Sequence, residues 1–202
     1  MTVTVAKLSP TEEIPELASK VIDGVKELGI AANIYQVESD YYNWSLEERQ
    51  QRLGAPSTEN LCKTLLFENT RIKLLEDQSD LLDKRHPKYV LVLIQYVDKM
   101  STKKLNVKMK EKLLEITGIQ QSSKVWNMRI APEEIAQTLT GYSAGGVTPI
   151  GLAKKSLRIV VCERASKLSR LYLGAGHADW KVAIDTKEFI EKSNALVWDL
   201  SE

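Results

Sequence analysis

The sequence predicts an α+β fold built as a single domain. Segments of strand length, rich in apolar and β-branched residues, are mixed with amphipathic helices without strict alternation. No glycine fingerprint marks a nucleotide-binding strand–helix unit, and no repeat or Gly/Ser linker divides the 202 residues. A chain of this length can bury enough surface for one core, so residues 1–202 are expected to form one domain.

The N-terminal part of the chain is predicted to hold two helices with a strand between them. Apolar residues recur at helical spacing from Pro15 to Leu28, and Gly29 follows as a C-terminal cap. Ser45 followed by Glu48 is a capping-box pattern, which begins the second helix. The strand is predicted over Asn33–Val37.

The rest of the chain supplies most of the predicted sheet. Tyr89–Val97 is apolar on both faces, which is typical of a central strand. Pro132 with Glu133 and Glu134 begins a helix, because proline suits the first turn and acidic side chains suit its positive end. Other strands are predicted over Leu61–Phe67, Lys124–Ile130, Leu157–Cys162, Trp180–Ile184 and Ala195–Trp198, and other helices over Ser101–Ile116 and after Asp185.

The composition excludes several classes of protein. With 28 basic and 27 acidic residues, the chain lacks the overall positive charge typical of nucleic-acid-binding proteins, so no DNA partner is expected and any RNA contact must be local. No apolar run approaches the ~20 residues of a membrane span, and the N-terminus lacks a secretory pattern, so a cytoplasmic protein without a membrane partner is expected. Cys62, Cys162, His86 and His177 have no metal-ligand spacing, so no metal site is expected.

Lys63 interrupts an otherwise apolar strand face. Alternation along the predicted strand places it on the same side as Leu61, Leu65 and Phe67. Burying an ammonium without a partner is costly. Lys63 therefore either extends into solvent at the strand end or lines a polar cleft and binds a ligand.

Two glycine-rich segments are the other unusual features. Gly141–Gly151 holds too many glycines for a helix or a strand. Glycines let a backbone approach a ligand closely and direct N–H groups at it, although a long turn between elements is the alternative. The second segment, Leu173–Trp180, is a glycine turn that carries His177 and Asp179.

Taken together, these segments resemble the YbaK-type aminoacyl-tRNA deacylases, whose fold also forms the editing insertion of bacterial prolyl-tRNA synthetases. Lys63 in CKTLLFEN matches the lysine on an early strand of that family, and Gly145–Pro149 matches its GxxxP loop. GAGHADWKVAID, with His177, is similar to the family's glycine turn before a strand. The likeness covers about residues 32–202 and leaves about 1–31 as an N-terminal helical extension.

The resemblance implies a mixed, mostly antiparallel, barrel-like sheet surrounded by helices, with a cleft for the 3′ aminoacyl-adenosine of tRNA. It implies ester hydrolysis without a metal or a cofactor, in which a ribose hydroxyl of the tRNA helps to activate water. The catalytic residues that it implies are Lys63, Gly145, Gly146, Pro149 and His177, and the substrate-binding residues are Thr148, Gly174 and Gly176.

The function that the resemblance implies is trans-editing of mischarged tRNA. A synthetase pocket separates amino acids that differ by one methylene by only about 1–3 kcal/mol, so a second sieve is needed. Ala, Cys or a similar small amino acid on proline tRNA is the expected substrate, and a synthetase or synthetase complex is an expected partner. Two alternatives stay open: a non-catalytic module that binds tRNA or a synthetase, and a hydrolase of small esters.

A lysine-rich helix is the candidate tRNA contact. Within Ser101–Ile116, Lys104, Lys108 and Lys112 recur every four residues and form one basic stripe. A near-neutral protein that acts on a polyanion needs a local cluster of cations, and this is the densest one in the sequence. The alternative is a solvated helix face without a partner.

Overall fold

A computed structural model of the protein describes residues 2–9, 11–72, 88–120 and 122–202. Its strands are β1 (Val3–Ala6), β2 (Ala32–Gln36), β3 (Cys62–Asn69), β4 (Tyr89–Gln95), β5 (Met128–Ile130), β6 (Arg158–Cys162), β7 (Arg170–Gly174), β8 (Trp180–Asp185) and β9 (Leu196–Trp198). Its α-helices are α1 (Glu16–Leu28), α2 (Leu46–Leu53), α3 (Thr102–Thr117), α4 (Glu133–Thr140), α5 (Glu163–Ser166) and α6 (Thr186–Ser193).

The strands form two mixed sheets. The four-stranded sheet has the order β1-β2-β8-β7, and only its β1–β2 pair is parallel. The five-stranded sheet has the order β5-β3-β4-β6-β9, with β4–β6 and β6–β9 parallel and the pairs of β3 antiparallel. The predicted α+β class, with mostly antiparallel pairing, is confirmed. The barrel-like sheet is two adjacent sheets rather than one closed barrel.

The predicted helix ends are made by the residues expected to make them. The Ser45 side chain accepts a hydrogen bond from the Glu48 N–H, and the Glu48 carboxylate accepts one from the Ser45 N–H. Gly29 has the left-handed φ of 69° that ends α1. Asp185 caps α6 by accepting from the Glu188 N–H.

The main core lies between the two sheets and includes the N-terminal helix. Val21 and Val25 of α1 are fully buried in the same cluster as Leu91 of β4 and Val182 of β8. Strand β1 extends the four-stranded sheet by pairing with β2. The segment predicted as an N-terminal extension therefore contributes both a helix and a strand to the folded unit.

A second apolar cluster lies on the outer face of the five-stranded sheet. There α3 packs Leu105, Met109 and Leu113 against Val90 and Val92 of β4. All seven residues of β4 are buried, because one face meets the main core and the other meets α3, which confirms the predicted central strand. Among the described helices, none is long and apolar enough to span a membrane.

Some elements differ from their prediction. The strand predicted over Lys124–Ile130 is wrong in its first half, where Ser123–Val125 forms a 3-10 helix and only Met128–Ile130 is extended. The Asn69 side chain holds this bend, because its amide donates to the Val125 carbonyl. Strands β1 and β7 were not predicted. His86 lies outside the described residues.

Candidate active site

A cleft of about 330 Å³ lies where the edges of the two sheets separate. Strand β7 of one sheet touches the start of β3 of the other through a parallel bridge between Tyr172 and Leu61. Beyond this bridge the strands diverge, and the start of α4 and the glycine-rich segment close the far side. The cleft is lined by Lys63, Thr64, Leu65, Glu133, Gly145 and Gly174, among others.

Among the described residues, the edge of β3 is unpaired along the cleft. Strand β5 pairs with Phe67–Asn69, and the Leu66 carbonyl accepts a hydrogen bond on the same side, from the Ala131 N–H. Backbone groups alternate in direction along an antiparallel strand, so the Thr64 N–H and carbonyl also point away from β4 and toward the cleft. This backbone donor and acceptor can bind a ligand.

Lys63 lies on the strand beside this open edge. Its side chain is half-buried, and the ammonium lies 5.6 Å from the centroid of the Tyr96 ring, in cation–π geometry. Within the described residues Lys63 has no carboxylate partner, so its charge is available to an anionic ligand. The structure thus places Lys63 in a cleft, which is the second of the two positions considered for it.

The glycine-rich segment forms a tight turn at the cleft. The Gly146 N–H donates to the Ser143 carbonyl at 3.0 Å, and Gly145 has a φ of 81° at the third position of this turn. A type II turn requires such a φ there, which favours glycine. Gly145 lines the cleft, as expected, whereas Gly146 is buried behind it.

The two glycine segments pack directly against each other. The Gly176 N–H donates to the Gly146 carbonyl at 2.9 Å. A Cβ added at Gly146 would lie 2.4 Å from the Gly176 carbonyl oxygen, and one added at Gly174 would lie 3.0 Å from that of Val147. The glycines therefore allow main chain to pack on main chain, which fixes the wall of the cleft.

Thr148 and Pro149 support this wall from behind. Both are buried, and neither lines the cleft. The Thr148 Oγ1 has no hydrogen-bond partner in the described part of the chain, as is also true of the Thr64 Oγ1. Their positions are those of residues that shape the loop rather than of residues that touch a ligand in the cleft.

His177 lies outside the cleft. Its side chain is 45% exposed, and its Nδ1 accepts a hydrogen bond from the Asp179 N–H at 3.2 Å. The predicted site residues are thus only partly brought together: the cleft collects Lys63, Gly145 and Gly174, while His177 faces solvent on the turn before β8.

A cluster of cations and tyrosines that was not predicted lies beside the cleft and is formed by Tyr41, Tyr42, Arg49, Tyr96 and Lys181. We call it the cation–tyrosine cluster. The Lys181 ammonium lies 4.9 Å and 4.6 Å from the ring centroids of Tyr41 and Tyr42, and the Arg49 guanidinium lies 5.2 Å from that of Tyr42. Lys181 is only 4% exposed, and burial lowers its pKa to about 7, although Asp179 opposes this effect.

The two thiols are unsuited to nucleophilic chemistry. Cys62 lines the cleft, but burial raises the pKa of its thiol far above its ordinary value, which keeps it protonated. Burial likewise raises the pKa of Cys162 to about 12. Within the described residues, no group of three His, Cys, Asp or Glu side chains could hold a metal ion.

The three lysines of the predicted tRNA-binding stripe are all engaged in ion pairs. Lys104 contacts Asp199 at 2.8 Å, and it also donates to the Ser201 carbonyl. The other two pair along the helix, Lys108 with Glu111 at 2.9 Å and Lys112 with Glu115 at 2.6 Å. Helix α3 also covers the sheet face that is turned away from the main core.

The part of the chain that forms the cleft matches a known family of domains. The model of the aminoacyl-tRNA editing domain family matches residues 45–192, which include Lys63 and both glycine segments. The chain belongs to this family. The resemblance to the YbaK-type proteins is thereby confirmed, and the cleft is the candidate site of an editing domain. No curated protein matches the sequence well enough to be counted as a relative.

Solved structures share the fold of this editing domain. A protein described as a candidate trans-editing enzyme for prolyl-tRNA synthetase is 18% identical, with a TM-score of 0.69 over 94% of this chain and 99% of that one. A scaffold protein used for computational epitope grafting is 17% identical, with a TM-score of 0.66 over the same shares. The hypothetical protein APE2540 is 21% identical, with a TM-score of 0.64 over 91% and 99%. These similarities show a common fold.

Proposed function

We propose that this editing domain is a trans-editing deacylase that hydrolyses the ester of Ala, Cys or a similar small amino acid attached to proline tRNA. The observation that supports it is one cleft lined by Lys63, by the Gly145 turn and by the open edge of β3 at Thr64. Its volume of about 330 Å³ is near the lower end of ligand pockets, which favours a small aminoacyl group. The cytoplasm, where charged tRNA is used, is the expected compartment.

The reaction is the addition of water to the ester carbonyl. The water oxygen bonds to the carbonyl carbon, the bond from that carbon to the ribose oxygen breaks, and the proton lost by water goes to the ribose oxygen. Negative charge develops on the carbonyl oxygen, and a fixed backbone donor such as the Thr64 N–H stabilises it. Because no cysteine is available as a thiolate, a ribose hydroxyl of the tRNA is proposed to help activate the water.

The cleft carries one positive and one negative side chain, and the substrate has an anionic phosphate at one end and a cationic ammonium at the other. Lys63 is proposed to bind the terminal phosphate, and Glu133, which lies at the exposed rim, to bind the α-ammonium of the amino acid. Gly146, Thr148, Pro149, Gly174 and Gly176 are proposed to hold the cleft wall in shape. His177 is proposed to contact the tRNA outside the cleft, and Lys104, Lys108 and Lys112 to contact its more distant phosphates.

The test is a panel of proline tRNAs carrying Ala, Cys, Ser, Thr or Pro, incubated with the pure protein. Release of a small non-cognate amino acid, with Pro-charged tRNA left intact, is the expected result. Binding of tRNA without release would instead indicate a non-catalytic module. Equal cleavage of free aminoacyl esters would indicate a general esterase.

Lys63→Ala tests the role of the lysine. We expect single-turnover deacylation at subsaturating tRNA to fall by at least about 100-fold, since the charged contact that holds the terminal phosphate is lost, while the melting temperature stays near that of the unchanged protein. Lys187→Ala, which removes an exposed lysine of α6, is the matched control. Near-normal turnover of the Lys63 variant would refute the assignment.

A further inference from the structure

Tyr42 makes a hydrogen bond that ties the cation–tyrosine cluster to the cleft wall. Its hydroxyl donates to the Gly145 carbonyl at 2.6 Å, across 103 residues of sequence. The ring also packs on Gly145, since a Cβ added there would lie 3.2 Å from the Tyr42 Cε2. Gly145 lines the cleft, so this contact acts directly on the site.

The Tyr42 side chain is itself held from several directions. Lys181 and Arg49 lie over its ring, and an Arg49 N–H donates to the Tyr42 carbonyl. Tyr41 packs edge-on against it, with ring centroids 5.6 Å apart. Burial, and then the nearby Tyr96, raise the pKa of the Tyr42 hydroxyl, so the group remains a hydrogen-bond donor throughout the physiological pH range. A side chain fixed in this way can impose a position on the loop that it contacts.

Tyr96 extends the contact to the opposite wall. Tyr96 follows β4 and lines the cleft together with Tyr42. The Lys63 ammonium lies 5.6 Å from the centroid of the Tyr96 ring. Tyr96 and Tyr42 pack in the same cluster, and each hydroxyl affects the pKa of the other. Lys63, Tyr96, Tyr42 and Gly145 therefore form one series of contacts that joins the two walls of the cleft.

We propose that Tyr42 and Tyr96 form a tyrosine brace, which sets the distance between Lys63 and the Gly145 turn before substrate binds. This inference rests on the proposed deacylase function and assigns positioning roles to two residues that do not react themselves. Preorganised geometry matters at such a site, because a displacement of about 1 Å can cost on the order of 100-fold in rate.

Tyr42→Phe is the decisive variant, because it keeps the ring and removes the hydrogen bond to Gly145. We expect kcat to fall by about 10-fold with KM changed less than about twofold, since the loop is displaced while the binding groups remain. Amide hydrogen exchange in residues 143–148 should become several-fold faster.

Tyr172→Phe is the matched control. It removes a longer bond of the same kind, from a buried tyrosine hydroxyl to the Gly54 carbonyl at 3.4 Å, away from the Gly145 turn. Equal losses of kcat in the two variants, or unchanged loop exchange in Tyr42→Phe, would overturn the brace. Absence of cleavage by the unchanged protein would overturn the proposed function alone, and the exchange measurement would still decide whether Tyr42 holds the loop.

Discussion

Lys181 is the residue at which charge burial costs most among the described lysines. Burial lowers its pKa from 10.5 to about 7, so below pH 7 the folded protein holds a buried ammonium. Between pH 7 and about 10.5, Lys181 binds a proton in the unfolded chain but is mostly neutral in the folded protein. The contribution of Lys181 to the free energy of unfolding therefore increases as the pH rises through this window.

Lys181→Met tests this effect. We expect the variant to gain on the order of 3 kcal/mol of unfolding free energy at pH 6, because the buried charge is gone, and to lose most of that gain by about pH 10. Urea unfolding of both proteins from pH 6 to 10 measures the difference. A gain that does not change with pH would show that the amine is neutral, or well solvated, throughout.

Of the two partly or fully buried lysines near the cleft, Lys63 was identified from the sequence and Lys181 was not. Lys63 was found because it breaks the apolar alternation of β3, and the structure places it in the cleft. Lys181 lies in a strand as apolar as β3, but its burial was not predicted, because that face of the strand could have been exposed to solvent. That face is covered by Tyr41 and Tyr42, which come from a segment 140 residues away in sequence, and alternation alone carries no information about such a contact.

Helix α3 shows the same limit for an entire element. Its bounds were predicted within one residue, because the helical period is a local signal. The ion pairs of its lysines were not predicted. Two of the lysines pair with glutamates of the same helix, and Lys104 pairs with Asp199 of the C-terminal segment. Pairing with Glu111 and Glu115 reduces the field that a phosphate would meet at Lys108 and Lys112.

Opposite substitutions on α3 test the proposed tRNA contact. Glu111→Gln with Glu115→Gln frees two lysines, so tRNA binding should strengthen and its log–log salt slope should steepen by about one to two. Lys108→Gln with Lys112→Gln should weaken binding and flatten the slope. Anisotropy titrations with labelled tRNA at several salt concentrations measure both. If neither pair changes the slope, α3 is a solvated face and the tRNA path lies elsewhere.

At the scale of the whole molecule, the class of fold was predictable from the sequence, whereas the contacts between distant segments of the chain were not. Strand lengths and helix caps indicated an α+β domain, and both glycine segments were recognised as unusual. Their contact through Gly146 and Gly176, and the bridge from Leu61 to Tyr172 that brings the sheets together, depend on long-range packing. Strand β7, where that bridge forms, is short and has no hairpin turn before it to mark it.

The packing of α1 predicts that the N-terminal segment is needed for folding. Val25 is fully buried, so Val25→Ala should lower the free energy of unfolding by about 2 kcal/mol. Val5→Ala, on the exposed edge strand β1, should cost less than about 0.5 kcal/mol. A chain beginning at Ala32 should lack a cooperative unfolding transition in urea, and a native-like transition in that chain would show that α1 and β1 are dispensable.

The backbone-on-backbone packing of the glycine segments has a consequence for engineering this cleft. Side chains can be substituted one at a time, whereas a wall made of main chain has no side chains to substitute. A Cβ added at Gly146 would also clash with the Gly176 carbonyl. Directed evolution of the domain should therefore accumulate its changes in amino-acid preference on the opposite wall, at Leu65 and Ala136. The glycine wall would remain the same in every successful variant, so that new selectivity is obtained without disturbing the contact between the two glycine segments.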